Sequence, residues 1–297
     1  MASIIDGKAI ARQMQDEMKS DVDKLVKKGV TPRLEVVLVG DDPASHVYVR
    51  NKERACEKVG VETSTHRLPA AETTQKQLLE LIDSFNRDPK IHGILVQLPL
   101  PGHIEEGAVL NAIDPDKDVD GFHPVNVGRM VVGEPGFLPC TPHGIQQLLI
   151  RSGIETKGKH VVVVGRSNIV GKPVANILLQ KKEGANAVVT VVHTAAPDMS
   201  VFTKQADILI VAAGRPGMIT GDMVKEGVVV IDVGMNRVDD PTKEKGFRLT
   251  GDVDFDSVSK KASWITPVPG GVGPMTITML LHNTIQSARK TLDLKKP

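Results

Sequence analysis

Tyr48 and Lys52 stand four residues apart in the run Ser45-His-Val-Tyr48-Val-Arg-Asn-Lys52. On a helix that spacing puts both on one face, with Ser45 one turn earlier. A lysine beside a phenol can move protons or steady a bound ring, although such a pair taken alone is more often a half-buried Tyr next to a solvated Lys. Val96-Gln97-Leu98-Pro99 places an amide at the end of an otherwise apolar run. A buried Gln needs partners for its amide, and Lys52 is a candidate. Asp116-Lys-Asp118-Val-Asp120-Gly121-Phe-His-Pro-Val-Asn126 is the densest polar stretch of the chain. Its plain reading is a turn full of side-chain caps, which holds for Asp116 and Asp118. No EF-hand spacing or His cluster accompanies them, so a metal site is not expected.

A second kind of chemistry is written in Val161-Val-Val-Val-Gly165-Arg166-Ser167-Asn-Ile-Val-Gly171-Lys-Pro173. Four β-branched residues running into a glycine read as a buried parallel strand meeting a tight turn, and Gly171-Lys-Pro opens a helix. Backbone N–H groups and the positive end of a helix dipole then face one point, which suits an anion such as a dinucleotide phosphate. The pattern departs from G-x-G-x-x-G: Ser167 replaces the second glycine and the last interval is one residue longer. A surface βα turn with a stray Arg would look similar. Arg166 adds a guanidinium where an extra phosphate could be held. His193-Thr194 ends a later strand at the place where an NAD enzyme often carries Asp or Glu for the ribose 2′-hydroxyl. With a hydroxyl there and Arg166 opposite, NADP is favoured over NAD. Thr266-Pro-Val-Pro269-Gly270-Gly271-Val-Gly-Pro-Met-Thr276 joins prolines that restrict a loop to glycines that let a ligand approach the backbone.

The elements that must position these residues follow from periodicity. Ile10, Met14, Met18, Val22 and Leu25-Val26 fall at helical spacing up to Gly29. Leu34–Val39, Val61–Leu68 and Ile91–Leu98 read as strands. They alternate with helices from Asp42-Pro43 to Val59, from Gln75 to Phe85 and from about Glu105 to Ile113. The stretch from Asp114 to Pro142 reads as a long loop, and connections of that length tend to be functional. A helix from about Pro142 to Ser152 leads into the glycine turn. Strands near Ala187–His193, Ile208–Ala213 and Val228–Val233 follow. Asp239–Gly246 looks like a solvated hairpin or surface loop, and a last helix runs from Gly273-Pro274 to about Thr291. Alternating strands and helices imply an α/β protein with parallel sheets, its second half Rossmann-like.

Composition narrows the function class. The chain has 297 residues, 40% hydrophobic and 25% charged, as expected of a globular protein with room for two domains. A net charge of +1 with acids and bases interspersed gives no footprint for nucleic acid or a membrane surface. No apolar run approaches membrane-span length, and the start lacks the look of a signal or transit peptide. Cys56 and Cys140 lie far apart and form neither a zinc pattern nor a disulfide framework. A cytoplasmic protein is expected.

Taken together, Tyr48-Val-Arg-Asn-Lys52, Gly93-Ile-Leu-Val-Gln-Leu-Pro-Leu100, Lys117-Asp-Val-Asp-Gly121, Pro139-Cys-Thr-Pro142, the Gly165–Pro173 turn and Pro267–Thr276 resemble one family closely over essentially the whole chain. It is that of the bifunctional methylenetetrahydrofolate dehydrogenase/methenyltetrahydrofolate cyclohydrolases in their short bacterial-type form. The resemblance implies two α/β domains around a cleft. Residues 1–140, completed by a C-terminal helix over 273–297, would form the folate-binding catalytic domain, and 141–272 the Rossmann-like NADP domain. It implies Lys52 as the catalytic lysine steadied by Gln97, Tyr48 against the folate and Asp120 on the pterin. Val96, Leu98, Pro269, Gly270 and Gly271 would also line the folate. Gly165, Arg166 and Ser167 would hold NADP phosphate and ribose. Thr194 stands where many relatives have Ser and keeps the hydroxyl. Met235 stands where Ile is usual, at an expected backbone contact to the cofactor. Tetrahydrofolate derivatives as substrates, no metal and a homodimer complete the expectation.

Two alternatives remain at this level: another two-domain NAD(P) dehydrogenase, such as one acting on amino acids, and a catalytically silent NADP-binding protein. Short-chain dehydrogenases also pair Tyr-x-x-x-Lys, but there the pair follows the glycine turn in the same domain, whereas here it precedes it.

Overall fold

The computed structural model describes residues 2–243 and 246–294. The chain opens with strand β1 (Ser3–Ile4) and helix α1 (Gly7–Lys27), then β2 (Arg33–Val39), α2 (Pro43–Val59), β3 (Glu62–Leu68), α3 (Gln75–Arg87) and β4 (Gly93–Val96). Helices α4 (Glu106–Ala112), α5 (Pro124–Val132) and α6 (Cys140–Arg151) precede β5 (His160–Val164), α7 (Gly171–Leu179), β6 (Val188–Val192), α8 (Ser200–Thr203) and β7 (Ile208–Val211). The remainder is β8 (Val229–Asp232), β9 (Asn236–Asp239), β10 (Phe247–Thr250), α9 (Phe255–Val258), β11 (Trp264–Ile265) and α10 (Val272–Leu294).

Two compact units result, one of Arg12–Cys140 with Ile277–Pro297, the other of Met1–Ala11 with Thr141–Thr276. In the first, a three-stranded parallel sheet runs in the order β3-β2-β4. Val37, Val39, Ile94 and Val96 pack there with Leu78, Ile82 and Phe85 of α3. Leu78, Ile82 and Phe85 recur at helical spacing, which is why α3 presents one apolar face to the sheet. Helix α2 starts at Asp42, whose carboxylate accepts from the Ser45 backbone N–H (2.8 Å), and stops at a left-handed Gly60.

In the second unit a six-stranded parallel sheet runs β1-β11-β8-β7-β5-β6. Its strands are nearly all-apolar because both faces are covered; Val162, Val164, Leu209, Val211, Val230 and Ile265 share one core. After β6 the chain crosses β5 to reach β7, so the C-terminal end of β5 is a topological switch point, where open α/β sheets bind ligands.

Two differences from the sequence reading have physical causes. Residues 1–140 are expected in one domain with a helix as its first element, yet Ser3 and Ile4 form a strand that pairs in parallel with Trp264 and Ile265 and extends the six-stranded sheet of the second unit. Two-residue strands leave no periodicity to read. The stretch 114–142 holds a helix, α5, that the density of Asp, Gly and Pro conceals. Its signals are Pro124 in the first turn, the His123 ring accepting from the Val125 N–H (3.1 Å) and Gly133 at the C-cap, but it buries only Asn126 and Met130 and so shows no apolar stripe. The hairpin reading of the charged segment holds: β9 and β10 pair antiparallel, Asp239 opposite Phe247, and residues 244–245 between them lie outside the described residues.

Candidate active site and cofactor turn

Lys52 lies on the face of α2 that turns toward the sheet, and it is 8% exposed. Its ammonium donates to Gln97 Oε1 at 3.0 Å. Gln97 follows β4 directly, its backbone N–H donating to Val37 O (2.8 Å) as though the strand continued, and its Nε2 donating to Leu98 O (2.7 Å). Both ends of the amide are therefore engaged, which leaves the oxygen aimed at the lysine. Tyr48, one turn earlier on α2, is 37% exposed. Val96 is fully buried within β4, whereas Leu98 is half-buried.

Burial pushes the Lys52 pKa below its usual value, opposed by the charge of Asp120 and then by Cys140 and Cys56. Asp120 is raised by burial and lowered by Lys52, and the Cys140 thiol also acts on it by hydrogen bonding. Neighbouring charges of opposite sign in a poorly solvated place hold each other ionised. The thiols stay protonated: burial drives Cys56 up to about 12, and burial and Asp120 both raise Cys140.

The Asp120 loop is built rather than loose. Asp118 is buried and accepts from the backbone N–H groups of Phe122 (3.2 Å) and His123 (2.9 Å) and from Asn126 Nδ2 (2.9 Å). That is the capping role expected of it. Lys117 Nζ donates to the carbonyls of Phe85, Asn86 and Asp88 at the end of α3. Gly121 has φ +75°, and a Cβ there would lie 2.6 Å from the Leu138 carbonyl carbon, so the turn after Asp120 closes against 138–139 only with glycine. Lys52, Gln97, Tyr48 and Asp120 thus gather in the first unit, from elements far apart in sequence.

The remaining candidates lie in the second unit. Gly165 has φ +123°, and a Cβ would come 2.2 Å from Ala212 O, so β5 ends in a turn packed against the end of β7. Ser167 Oγ accepts from the N–H groups of Val170 (3.1 Å) and Gly171 (3.3 Å) and so opens α7. Arg166, Ser167, Asn168 and Ile169 are all exposed. Gly165 N donates to Val192 O (2.8 Å), which sets the turn beside the end of β6, where His193 and Thr194 follow. Met235 is exposed three residues past β8. An exposed guanidinium and hydroxyls over a helix N-terminus at a switch point fit a phosphorylated dinucleotide. Pro269, Gly270 and Gly271 belong to this unit too, braced by Lys8 N–H donating to Gly270 O (3.1 Å).

The sequence reading missed two buried carboxylates that frame the cofactor side. Asp252 accepts from three successive backbone N–H groups, Ala213 (2.6 Å), Gly214 (2.8 Å) and Arg215 (2.9 Å). Asp232 accepts from Gly234 (2.9 Å), Asp252 (2.9 Å) and Val253 (3.0 Å), and burial raises its pKa to about 6. Together they lock the turn that carries Met235. Only the glycines around them, Gly214, Gly234 and Gly251, hinted at such close backbone approach. Among the described residues no cluster of His, Cys, Asp or Glu could hold a metal ion.

Comparison with known proteins identifies the family. The tetrahydrofolate dehydrogenase/cyclohydrolase catalytic domain matches residues 5–120, and the NAD(P)-binding domain of the same family matches residues 139–292. The bifunctional protein FolD of Moorella thermoacetica is 59% identical over 289 residues, 97% of this chain and 99% of that protein. The Campylobacter jejuni bifunctional FolD crystal structure superposes with a TM-score of 0.92 at 50% identity, covering 98% of this chain and 99% of that one. The Trypanosoma brucei methylenetetrahydrofolate dehydrogenase-cyclohydrolase, solved with NADP cofactor and inhibitor, gives a TM-score of 0.92 at 42% identity and 98% coverage of each chain. The two family matches together cover most of the chain, and the relatives match it over nearly its whole length: the chain belongs to the tetrahydrofolate dehydrogenase/cyclohydrolase family.

Proposed function

We propose that Lys52, Gln97, Tyr48 and Asp120 carry out in this chain the two steps of its family: NADP-dependent oxidation of 5,10-methylenetetrahydrofolate to the 5,10-methenyl form, and hydrolysis of that form to 10-formyltetrahydrofolate. The observation that carries the assignment is the 3.0 Å hydrogen bond between the buried Lys52 ammonium and Gln97. We assign the folate to the unit of residues 12–140 and 277–297, and NADP to the other.

Asp120 accepts the pterin 2-amino and ring N–H groups, two parallel bonds that fix the ring's direction as well as its affinity. Tyr48 lies against the folate, and Val96 and Leu98 complete its surroundings in that unit. NADP, when bound, supplies the acceptor for the hydride leaving the methylene carbon. The substrate nitrogens stabilise the methenyl cation, so in this step the chain orients rather than activates. Water then adds to the cation. Lys52, its pKa lowered by burial, takes the proton from that water as the neutral amine and gives it to the departing ring nitrogen as the carbinolamine opens, while the hydroxyl proton leaves to solvent as the formyl C=O forms. Gln97 Oε1 holds the Lys52 nitrogen in line through both transfers. Gly165, Arg166, Ser167, Thr194 and the backbone at Met235 bind the cofactor, Arg166 on the 2′-phosphate.

The protein acts as a homodimer in the cytoplasm. Strand β6 is an edge of the six-stranded sheet and leaves Val188 and Val191 exposed, a surface that a second copy would cover. Both cysteines are unpaired, as in a reducing compartment. No described helix is long and apolar enough to cross a membrane.

The test supplies purified protein with 5,10-methylenetetrahydrofolate and NADP and follows NADPH and methenyl absorbance together. NADPH appearing while methenyl rises and then decays supports both steps; NADPH without methenyl decay removes the second. Sedimentation at micromolar protein decides the dimer.

A further inference from the structure

Asp120 owes its position to a residue from the far end of the chain. Asn283, in α10, is 1% exposed, and its Nδ2 donates to Val119 O (2.8 Å) and Leu138 O (3.0 Å). Val119 is the residue immediately before Asp120, and Leu138 is the segment on which the turn after Asp120 closes. One amide nitrogen therefore ties together the two backbones that bracket the carboxylate. The Cys140 thiol donates to the same Val119 carbonyl (3.3 Å), and Asn283 Nδ2 lies 3.8 Å from that sulfur.

The grip continues along one face of α10. Ser287, one turn on, donates to Asp116 O (3.0 Å), and Lys290, the next turn, reaches Asp116 Oδ1 (3.1 Å) and lies over the Phe137 ring (4.6 Å). Residues i, i+4 and i+7 share a helix face, so three successive turns hold the Asp120 loop. Losing Asn283 would take the amide donor from Leu138 O and leave Val119 O with only the weaker Cys140 thiol, and a buried carbonyl short of donors is costly enough to favour a shift of backbone.

We propose that Asn283 is a positioning residue that sets Asp120 beside Lys52 and so governs folate binding and the proton transfers without touching either ligand. This rests on the reading of Asp120 as the pterin contact. Four groups face Lys52: Gln97, Asp120, Cys140 and Cys56. Of these, Asn283 touches Cys140 and grips the backbone on either side of Asp120, and Asp120 is the one that carries a charge opposing the fall of the Lys52 pKa.

The experiment uses the full chain with Asn283→Leu, Ser287→Ala and Asp120→Ala. It measures binding of 5-formyltetrahydrofolate and of NADP, melting temperature and the pH profile of methenyl hydrolysis. Asn283→Leu is expected to weaken the folate about tenfold or more while leaving NADP affinity within about twofold. The rise of hydrolysis with pH should move to lower pH, because Asp120's charge holds the Lys52 pKa up and its displacement releases it. A merely structural role would lower the melting temperature without moving that limb. Folate affinity and pH limb both at wild-type values overturn the proposal. If Asn283→Leu does not fold, Ser287→Ala decides, with the same directions at about two- to fivefold; wild-type behaviour there overturns it. If instead Asp120→Ala keeps full folate affinity, the pterin reading fails, and the pH limb of the Asn283 or Ser287 variant alone judges the positioning role.

Discussion

The end of β5 and the middle of α2 do their chemistry by opposite means. At β5 the working groups are neighbours in sequence and exposed: a glycine turn, Arg166, Ser167 and the first N–H groups of α7. Water can reach them, and an anion arriving there exchanges one set of hydrogen bonds for another. At α2 the working group is a buried lysine whose acceptor comes from 45 residues away and whose counter-charge sits on a loop beyond α4. The first arrangement needs only exposed donors brought together in a turn, and a local motif suffices for that. The second tunes a proton affinity, which requires taking a charge out of water, and only packing from several elements can do that. Substitutions should therefore fail differently in the two places.

The largest effect is expected at α2. Lys52→Met should lower methenyl hydrolysis by about a hundred- to ten-thousandfold, the range of a positioned proton-transfer group, with NADP binding unaffected. Stopped-flow loss of methenyl absorbance measures it, and a wild-type rate would remove Lys52 from the mechanism.

Asp120→Ala should reduce both activities on the order of a hundredfold through folate orientation, at nearly unchanged NADP affinity. Separate titrations with a folate analogue and NADP, beside a melting curve, are the check. Matched loss of both ligands with a lowered melting point would reduce Asp120 to a turn residue and blur the contrast between the two regions.

Arg166→Ala should act on binding alone, cutting the NADP over NAD preference about ten- to hundredfold while the hydrolysis of added methenyltetrahydrofolate stays intact. Equal losses for NADP and NAD would place Arg166 on the shared pyrophosphate.

The smallest effect concerns stability. Lys52 has a native pKa below its usual 10.5, so burying it protonated opposes folding below that native value. As pH climbs from there to 10.5 the unfolded chain holds more protons than the native one, and the penalty fades. The melting temperature of Lys52→Met relative to wild type should therefore be most favourable near neutral pH and decline toward pH 10.5; a pH-independent difference would mean that Lys52 is solvated in the native state.

Much of this was legible in the residues themselves, and the reason is locality. The helix from Asp42-Pro43 to Gly60 announced its caps, the valine run of β5 its burial and Gly165–Pro173 its turn, because each depends on neighbours within a few positions. Tyr48 and Lys52 could be placed on one face from spacing alone. The pairing of Lys52 with Gln97 was open as a candidate, since strand ends collect polar groups, but nothing local required it.

What tertiary structure alone decided is where distant segments meet. No pattern in Ser3-Ile4 says that it will extend the sheet at Trp264-Ile265, since two residues carry no period. No motif links Asn283 to Val119 or Asp252 to Gly214, because a side chain that satisfies a remote carbonyl or amide leaves its mark only on the backbone it reaches. The sequence by itself determined most of the long elements and the glycine turn after β5. Only the fold could bury Lys52 with Asp120 near it and so lower the proton affinity of an ordinary lysine, because desolvation depends on every group packed around a side chain, wherever in the chain each one comes from.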